Sequence, residues 1–449
     1  MHIVYFHKDL RVRDNAALYH AAEKGEVLPV YILDDKAAGQ WKYGPAQRWW
    51  LQESLKELAA FFSSKGIPFI CRKGNTVTIL KELVKETGAQ GICYNRCYDG
   101  SMPNISDIGV ETEDFPGFLL FEANEVTTLK GGFFKVFTPF WRACLKVMDP
   151  VTPLPIPHLK YYKGSIPRSE NVDEWNPTSD TRSWKDNWQP GEKHAHANLN
   201  HFIQHALEHY DVGRDFPAEP LTSKLAAYLT FGEITPIQIW QAMSGKSPRI
   251  CETFQKELGW REFCYHLLHH FPDLPTKPFD QRFEHFSWQN NNGDIKRWQE
   301  GQTGYPIVDA GMRQLWHSGW MHNRVRMITA SFLTKDLLAP WQAGAEWFWQ
   351  SLVDADLANN SGNWQWVAGC GADAAPFFRI FNPVLQGEKF DPDGTYIRQW
   401  VPELAHLPNK LIHTPWKAGG VPGYPEPMID HAQARDRALK LFAELPRSF

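Results

Sequence analysis

The sequence lacks any run of about eighteen or more apolar residues, so no membrane-spanning helix is expected. Its start, Met1-His2-Ile3-Val4-Tyr5-Phe6, enters an apolar stretch directly, without the charged-then-apolar layout of a secretory leader. Paired cysteines are also missing. Seven cysteines are scattered from Cys71 to Cys370, only Cys93 and Cys97 stand close, and no second Cys or His pair sits at zinc spacing. No metal is therefore expected, and the thiols read as buried, reduced and cytosolic. Basic charge is not in excess: the formal net charge of −4 argues against a broad nucleic-acid footprint, while leaving room for a local basic patch. No glycine fingerprint of the dinucleotide-binding kind follows the first apolar stretch, which leads instead into His7-Lys8-Asp9-Leu10-Arg11. Internal repeats and low-complexity tracts are absent too.

What is present begins with length. At 449 residues the chain exceeds what one core usually supports, and two domains are expected. Hydrophobic and charged fractions of 43% and 22% are ordinary for a globular protein. The 20 tryptophans are not ordinary. They fit either a large aromatic core or a protein that stacks on flat rings or moves electrons between them.

Over the first 150 residues, apolar runs at Ile3–Phe6, Val27–Leu33, Ile67–Cys71, Gly91–Tyr94 and Phe118–Phe121 alternate with amphipathic stretches such as Gln47–Phe62 and Val77–Lys85. That alternation predicts a parallel sheet wrapped by helices, an α/β domain over 1–150. Residues 151–195 are rich in Pro, Ser, Asn and Asp and read as a connector. From 196 to 449 helical periodicity takes over, as in the stripe Trp260, Phe263, Cys264, Leu267 and Leu268. An all-α domain is expected there, and it carries most of the tryptophans.

Several groups of residues suggest chemistry, each with a plainer alternative. Glu257 and Trp260 share a helix face, with Arg261 and Cys264 continuing it. A carboxylate beside an indole can hold a base edge while the indole stacks; a core tryptophan with a solvated glutamate explains the pair equally. In Trp320-Met321-His322-Asn323-Arg324-Val325-Arg326-Met327, residues Asn323, Arg326 and Met327 share one face. Arg324 points elsewhere, toward a phosphate. Such a mixed face either meets a polar ligand or caps a helix end. Asp354-Ala355-Asp356, followed by Asn359 and Asn360, fits a helix end where each carboxylate reaches a different group, such as a ribose or a ring imide, or else an ordinary capped turn. Thr222-Ser223-Lys224-Leu225, after Arg214-Asp215-Phe216-Pro217, offers hydroxyls and a lysine at a helix start, suited to a phosphate or to simple capping. Trp364-Gln365-Trp366, with Trp341 and Trp288, is either core or an aromatic relay.

Together and in this order, these motifs closely resemble the photolyase/cryptochrome family. The resemblance runs along nearly the whole chain. It is strongest from Gly304-Tyr305-Pro306-Ile307-Val308-Asp309-Ala310, through Phe378-Arg379-Ile380-Phe381-Asn382-Pro383, to Gln386-Gly387-Glu388-Lys389-Phe390. It implies a Rossmann-like antenna domain, then a helical domain holding FAD and DNA. By position it assigns Tyr210, Thr222, Ser223, Lys224, Leu225, Ala226 and Phe254 to the phosphate side of the flavin. Asn323, Arg326, Asp354, Ala355 and Asp356 would hold the ribose and ring edges, and Asn360 would face flavin N5. Trp364, Trp341 and Trp288 match the family's electron-transfer chain. Glu257, Trp260, Met327 and Trp366 match the lesion pocket of the enzymes that repair cyclobutane dimers, with Glu257 steadying charge on the lesion. Arg214, Arg261, Asn323, Arg324, Arg379 and Gln386 complete the DNA side.

These positions imply light-driven repair of pyrimidine dimers in UV-damaged DNA by a cytoplasmic monomer, most like a class I enzyme. The histidine pair of the branch that repairs the other major photoproduct has no equivalent, and the chain ends without the long tail of many photoreceptors. The alternatives are a cryptochrome-type photoreceptor without repair, and a module whose tryptophans only stack on single strands. Two departures stand out. Ala226 replaces a serine often found in the Thr-Ser-Arg-Leu segment, removing one phosphate hydrogen bond or leaving it to another group. Ser101-Met102 stands where folate-binding relatives carry Asn-Glu, which argues against folate and leaves a deazaflavin, another flavin or an empty antenna site.

Overall fold

The computed structural model describes residues 1–148, 152–175, 183–374 and 378–446. Five parallel strands, β1 His2–Phe6, β2 Val27–Leu33, β3 Ile70–Lys73, β4 Gly91–Asn95 and β5 Glu111–Phe115, form one sheet in the order β3-β2-β1-β4-β5. The two central strands are apolar runs buried on both faces, as a sheet covered by helices on both sides requires. Pro29 is tolerated inside β2 because pairing with β3 begins only at Val30, so its missing N–H breaks no bond on that side.

The fifth strand is not where the apolar pattern put it. Phe118–Phe121 is an irregular segment, and β5 is the charged Glu-Thr-Glu-Asp-Phe before it. A strand at the sheet edge with little burial needs no apolar run. Phe118, Leu119 and Phe121 instead join a core shared with a long helix of the second half, whose Glu262 accepts the amides of Leu120 and Phe121 at 2.8 and 3.3 Å.

Among the described residues, the helices of eight residues or more are α1 Ala16–Lys24, α2 Pro45–Ser64, α3 Thr76–Thr87, α4 Phe137–Val147, α5 Glu192–His205, α6 Pro248–His270, α7 Asn292–Gln299, α8 Pro306–Ser318, α9 Asn323–Ser331, α10 Trp341–Ser351, α11 Leu357–Ala368, α12 Pro383–Phe390 and α13 His431–Ala443. Local chemistry explains their limits. Pro45 starts α2, and Leu51, Leu55, Leu58 and Phe62 bury one face at helical spacing. Asn75 caps α3 by accepting the Thr78 amide at 3.0 Å, and Gly88 ends it in the left-handed conformation. No strand occurs among the described residues from 196 onward, as the switch to helical periodicity predicted.

The apolar cluster around the sheet does not stop with it. It takes in Tyr162, Trp175, Trp184 and Trp188, and continues to Phe254 and Val353. At this junction Glu233 is fully buried and accepts hydrogen bonds from the Trp50 indole at 3.1 Å, the Gly191 amide at 2.8 Å and the Ser54 hydroxyl. Burial outweighs these donors and pushes its carboxyl up to about 8. All seven cysteines are free thiols, six of them buried, and no described helix is long and apolar enough to cross a membrane.

Candidate functional site

The helices after residue 205 enclose a cavity of about 490 Å³. Its walls come from the segment Tyr210–Thr230, from α6, α9 and α11, and from the turn between α10 and α11. Most of the residues singled out from the sequence meet here: Tyr210, Arg214, Ser223, Leu225, Ala226, Phe254, Glu257, Trp260, Arg261, Asn323, Arg324, Arg326, Met327, Asp354, Ala355, Asp356, Asn360, Trp364 and Trp366. They are up to 156 positions apart in the chain, from Tyr210 to Trp366.

The carboxylates stand where a helix break was expected. α10 ends at Ser351 and α11 begins at Leu357, so Asp354 and Asp356 lie in the turn. Asp354 receives the Arg326 guanidinium at 2.7 and 3.0 Å, and Arg326 is held from behind by the Met321 carbonyl at 2.7 Å. Asp356 caps α11, accepting the Asn359 amide at 2.9 Å, its side-chain amide at 2.7 Å and the Tyr265 hydroxyl. Asn360 gives its side-chain N–H to the Ala345 carbonyl at 2.9 Å, which leaves its amide oxygen for the cavity. His322 caps α9 through Nδ1, and burial, with Arg326 and Arg324 nearby, lowers it to about 4, so it is neutral as that acceptor role requires.

The lining also includes aromatic side chains, Trp260 and Trp366 among them. Trp260 is backed by Phe137 of α4, ring to ring at 3.9 Å and 8°, which fixes the plane the indole presents. The Arg379 guanidinium lies 5.8 Å over Trp366. Glu257 is paired with Arg214, whose guanidinium lies 5.4 Å over the Tyr210 ring.

One expectation is corrected, and several expected residues lie away from the cavity. Arg324 does not point away from the face of Asn323, Arg326 and Met327. It lines the same cavity, pairs with Asp215 at 2.6 Å and sits 4.4 Å over Phe390. Thr222 and Lys224 are outside the lining, because Lys224 adopts a left-handed φ of 50° and turns its ammonium toward Trp320 and Trp188, at 5.2 and 5.9 Å. The helix after them spans only Ala226–Thr230, and Leu225 at its start offers no side-chain cap. Arg379 and Gln386 are also outside the lining. So are Trp341 and Trp288: Trp341 is buried on α10, three residues before Gly344, where a Cβ would overlap the Trp364 indole. Sequence reasoning missed Phe348, which packs edge-on to Trp364 at 4.9 Å, and Phe137. Neither carries a polar signature that could have revealed it.

The contents of the cavity suit a flavin nucleotide. A hydroxyl and a small side chain (Ser223, Ala226), an arginine–aspartate pair, an amide oxygen and flat apolar side chains all line it. Arg261 also lines it, with a buried Nη2 that has no hydrogen-bond partner among the described residues.

A second cavity, about 240 Å³, opens at the carboxyl ends of β1 and β2, where the strand order reverses between β1 and β4. His7, Lys8, Tyr43, Asp99 and Ser101 line it. Against the burial that would raise it, the Lys8 ammonium holds the Asp99 carboxyl below the usual carboxylate range.

The profile of the DNA photolyase family matches residues 2–158, and that of the FAD binding domain of DNA photolyase matches residues 254–444. The chain belongs to the photolyase/cryptochrome family. A deoxyribodipyrimidine photo-lyase of Agrobacterium fabrum is 47% identical to it over 99% of this chain and 98% of that protein. Cryptochrome-2 of Arabidopsis thaliana is 34% identical over 98% of this chain and 78% of that protein. The solved structure of a bacterial class III photolyase from Agrobacterium tumefaciens superposes with a TM-score of 0.93 at 46% identity, covering 98% of this chain and 97% of the other. Family membership, the parallel-sheet and helical architecture, and an FAD-binding domain are thereby established; the class I assignment is not, since that photolyase is described as class III.

Proposed function

We propose that this chain repairs cyclobutane pyrimidine dimers in DNA with light, using FAD held in the 490 Å³ cavity. One observation carries the reading. Glu257, Trp260, Met327 and Trp366, a set suited to gripping two fused pyrimidines, open onto the same cavity as Arg326, Asp354 and Asn360. Bound there, reduced FAD would supply, when excited by light, the electron that splits the dimer and would take it back afterwards.

The protein's part is position and field. Ser223 would meet the pyrophosphate, the Arg326–Asp354 pair and Asp356 would orient the ring and ribose, and the free oxygen of Asn360 would face the ring. Photolyases as a class turn their target out of the duplex, at a cost of a few kcal/mol that is lower where damage has weakened pairing. The extruded lesion would rest against Trp260 and Trp366, with stacking worth ~1–3 kcal/mol per base. Glu257 would hold its edge, and Arg214 behind it would steady negative charge as it arrives. Arg324 and Arg379 would meet phosphates around the lesion. Trp364, Trp341 and Trp288 would relay electrons inward from the surface. The second cavity would hold an antenna pigment, and its Ser101 weighs against folate. Free, mostly buried thiols support a reducing compartment, and we place the protein in the cytoplasm as a monomer.

The test is the absorption spectrum of the purified protein, then illumination with dimer-containing DNA. Flavin with light-dependent loss of dimers is the expected result. Flavin without repair points to a photoreceptor, and a protein unable to hold flavin overturns both readings.

A further inference from the structure

Lys335 lies in a single π-helical turn, Phe332–Asp336, and is fully buried. π turns interrupt helices mostly where function demands a side chain out of register. Its ammonium has three N–H groups and three acceptors around it. It donates to the Val367 carbonyl at 3.0 Å and to the Arg379 carbonyl at 3.1 Å, and lies 3.8 Å from the centre of the Phe378 ring. The neighbouring carboxylate, Asp336, takes its hydrogen bond from His431 at 2.6 Å and compensates this charge only in part. Burial pushes the ammonium down to about 7, partly opposed by Cys370 and Asp336.

A buried cation whose hydrogen bonds go to carbonyls and not to a carboxylate is costly, so its place calls for a reason. Val367 is in the last turn of α11, where a carbonyl has no partner inside the helix. It follows Trp366 directly, and Arg379 is the residue whose guanidinium lies over Trp366. One ammonium thus ties the backbone of Arg379 to that of the residue next to Trp366. The Phe378 ring is fixed in turn by stacking on Phe442 at 4.3 Å and 8°. Gly369 leaves room for it, since a Cβ there would come within 2.8 Å of the ring.

We infer that Lys335 is a positioning residue for lesion binding: it sets Arg379 and Trp366 in register so that the guanidinium meets the DNA backbone beside a base stacked on the indole. The inference rests on the repair reading above.

A double-mutant cycle tests it, with affinity for a dimer-containing duplex measured over a range of salt. Lys335→Met is expected to weaken binding roughly tenfold and to lower the salt slope by about one, with flavin content and its photoreduction unchanged. Arg379→Ala should do the same. The double variant should bind no worse than Arg379→Ala alone, because Lys335 acts through Arg379. A lysine that only stabilises the fold would lower the melting temperature and leave affinity at the wild-type value, or its effect would multiply with that of Arg379→Ala; either result overturns the inference. Should Lys335→Met not fold, Phe378→Leu, which removes the ring face, enters the same cycle with the same criterion. Wild-type protein that holds flavin but does not distinguish dimer-containing from intact DNA would bring down the repair reading, and this inference with it.

Discussion

Glu257 and Arg214 form an ion pair in the lining of the 490 Å³ cavity, one from α6 and the other from the segment before it. Neither charge faces the cavity alone. A group that donates a hydrogen bond to this corner meets a carboxylate already oriented by a cation.

That pairing sets the expectation for Glu257. Glu257→Ala removes the group that holds the lesion and leaves Arg214 without its partner, so repair per photon should fall about tenfold while flavin stays bound. Glu257→Gln keeps the shape and should lose less. Equal repair by wild type and Glu257→Ala in a single-turnover flash experiment removes the residue from the mechanism.

Trp364 is the tryptophan of the proposed relay that lines the cavity, and Gly344 leaves it space. Trp364→Phe should slow photoreduction of oxidised flavin at least tenfold, because phenylalanine is far harder to oxidise. Repair by enzyme reduced chemically beforehand should stay within about twofold of wild type. Photoreduction at the normal rate would send the electron path elsewhere.

Arg324 and Asp215 give a pair of opposite predictions. Arg324→Ala should weaken binding to dimer-containing DNA roughly tenfold and reduce the salt slope by about one, the signature of one lost phosphate contact. Asp215→Asn removes the carboxylate that competes for Arg324 at 2.6 Å, and should strengthen binding at low salt. If both variants show the wild-type slope, Arg324 does not touch a phosphate.

Glu233 predicts a pH dependence of stability. Its folded-state value is raised from 4.5 to about 8, so between these limits the folded protein keeps a proton that the unfolded chain has released. Stability contributed by this group therefore falls as pH rises through that window, by up to about 1.4 kcal/mol per pH unit. Glu233→Gln mimics the protonated acid and should flatten the curve. Urea midpoints of the two proteins between about pH 5 and 8 decide it. Parallel curves would mean that the carboxyl ionises freely in place.

Much was legible in the residues themselves. Uniform apolar runs predicted β1, β2 and β4, because strands buried on both faces have no other way to look. The edge strand β5 escaped because its burial is slight and its sequence is charged, and Phe118–Phe121 misled because packing against α6 rewards apolar residues as well as pairing does. Asp354, Asp356 and Asn360 were readable since capping and helix-end chemistry act within a few residues. Which groups share one cavity was a different matter. Phe137 backs Trp260 from 123 positions away, Arg214 and Arg324 each pair with a carboxylate, and Lys335 reaches carbonyls on two segments to which it does not belong. The sequence determined the elements, their caps and the kinds of side chain that converge, because these depend on neighbours along the chain. Only the tertiary structure decided which partners those side chains take, because burial, charge pairing and ring contact depend on distance in space.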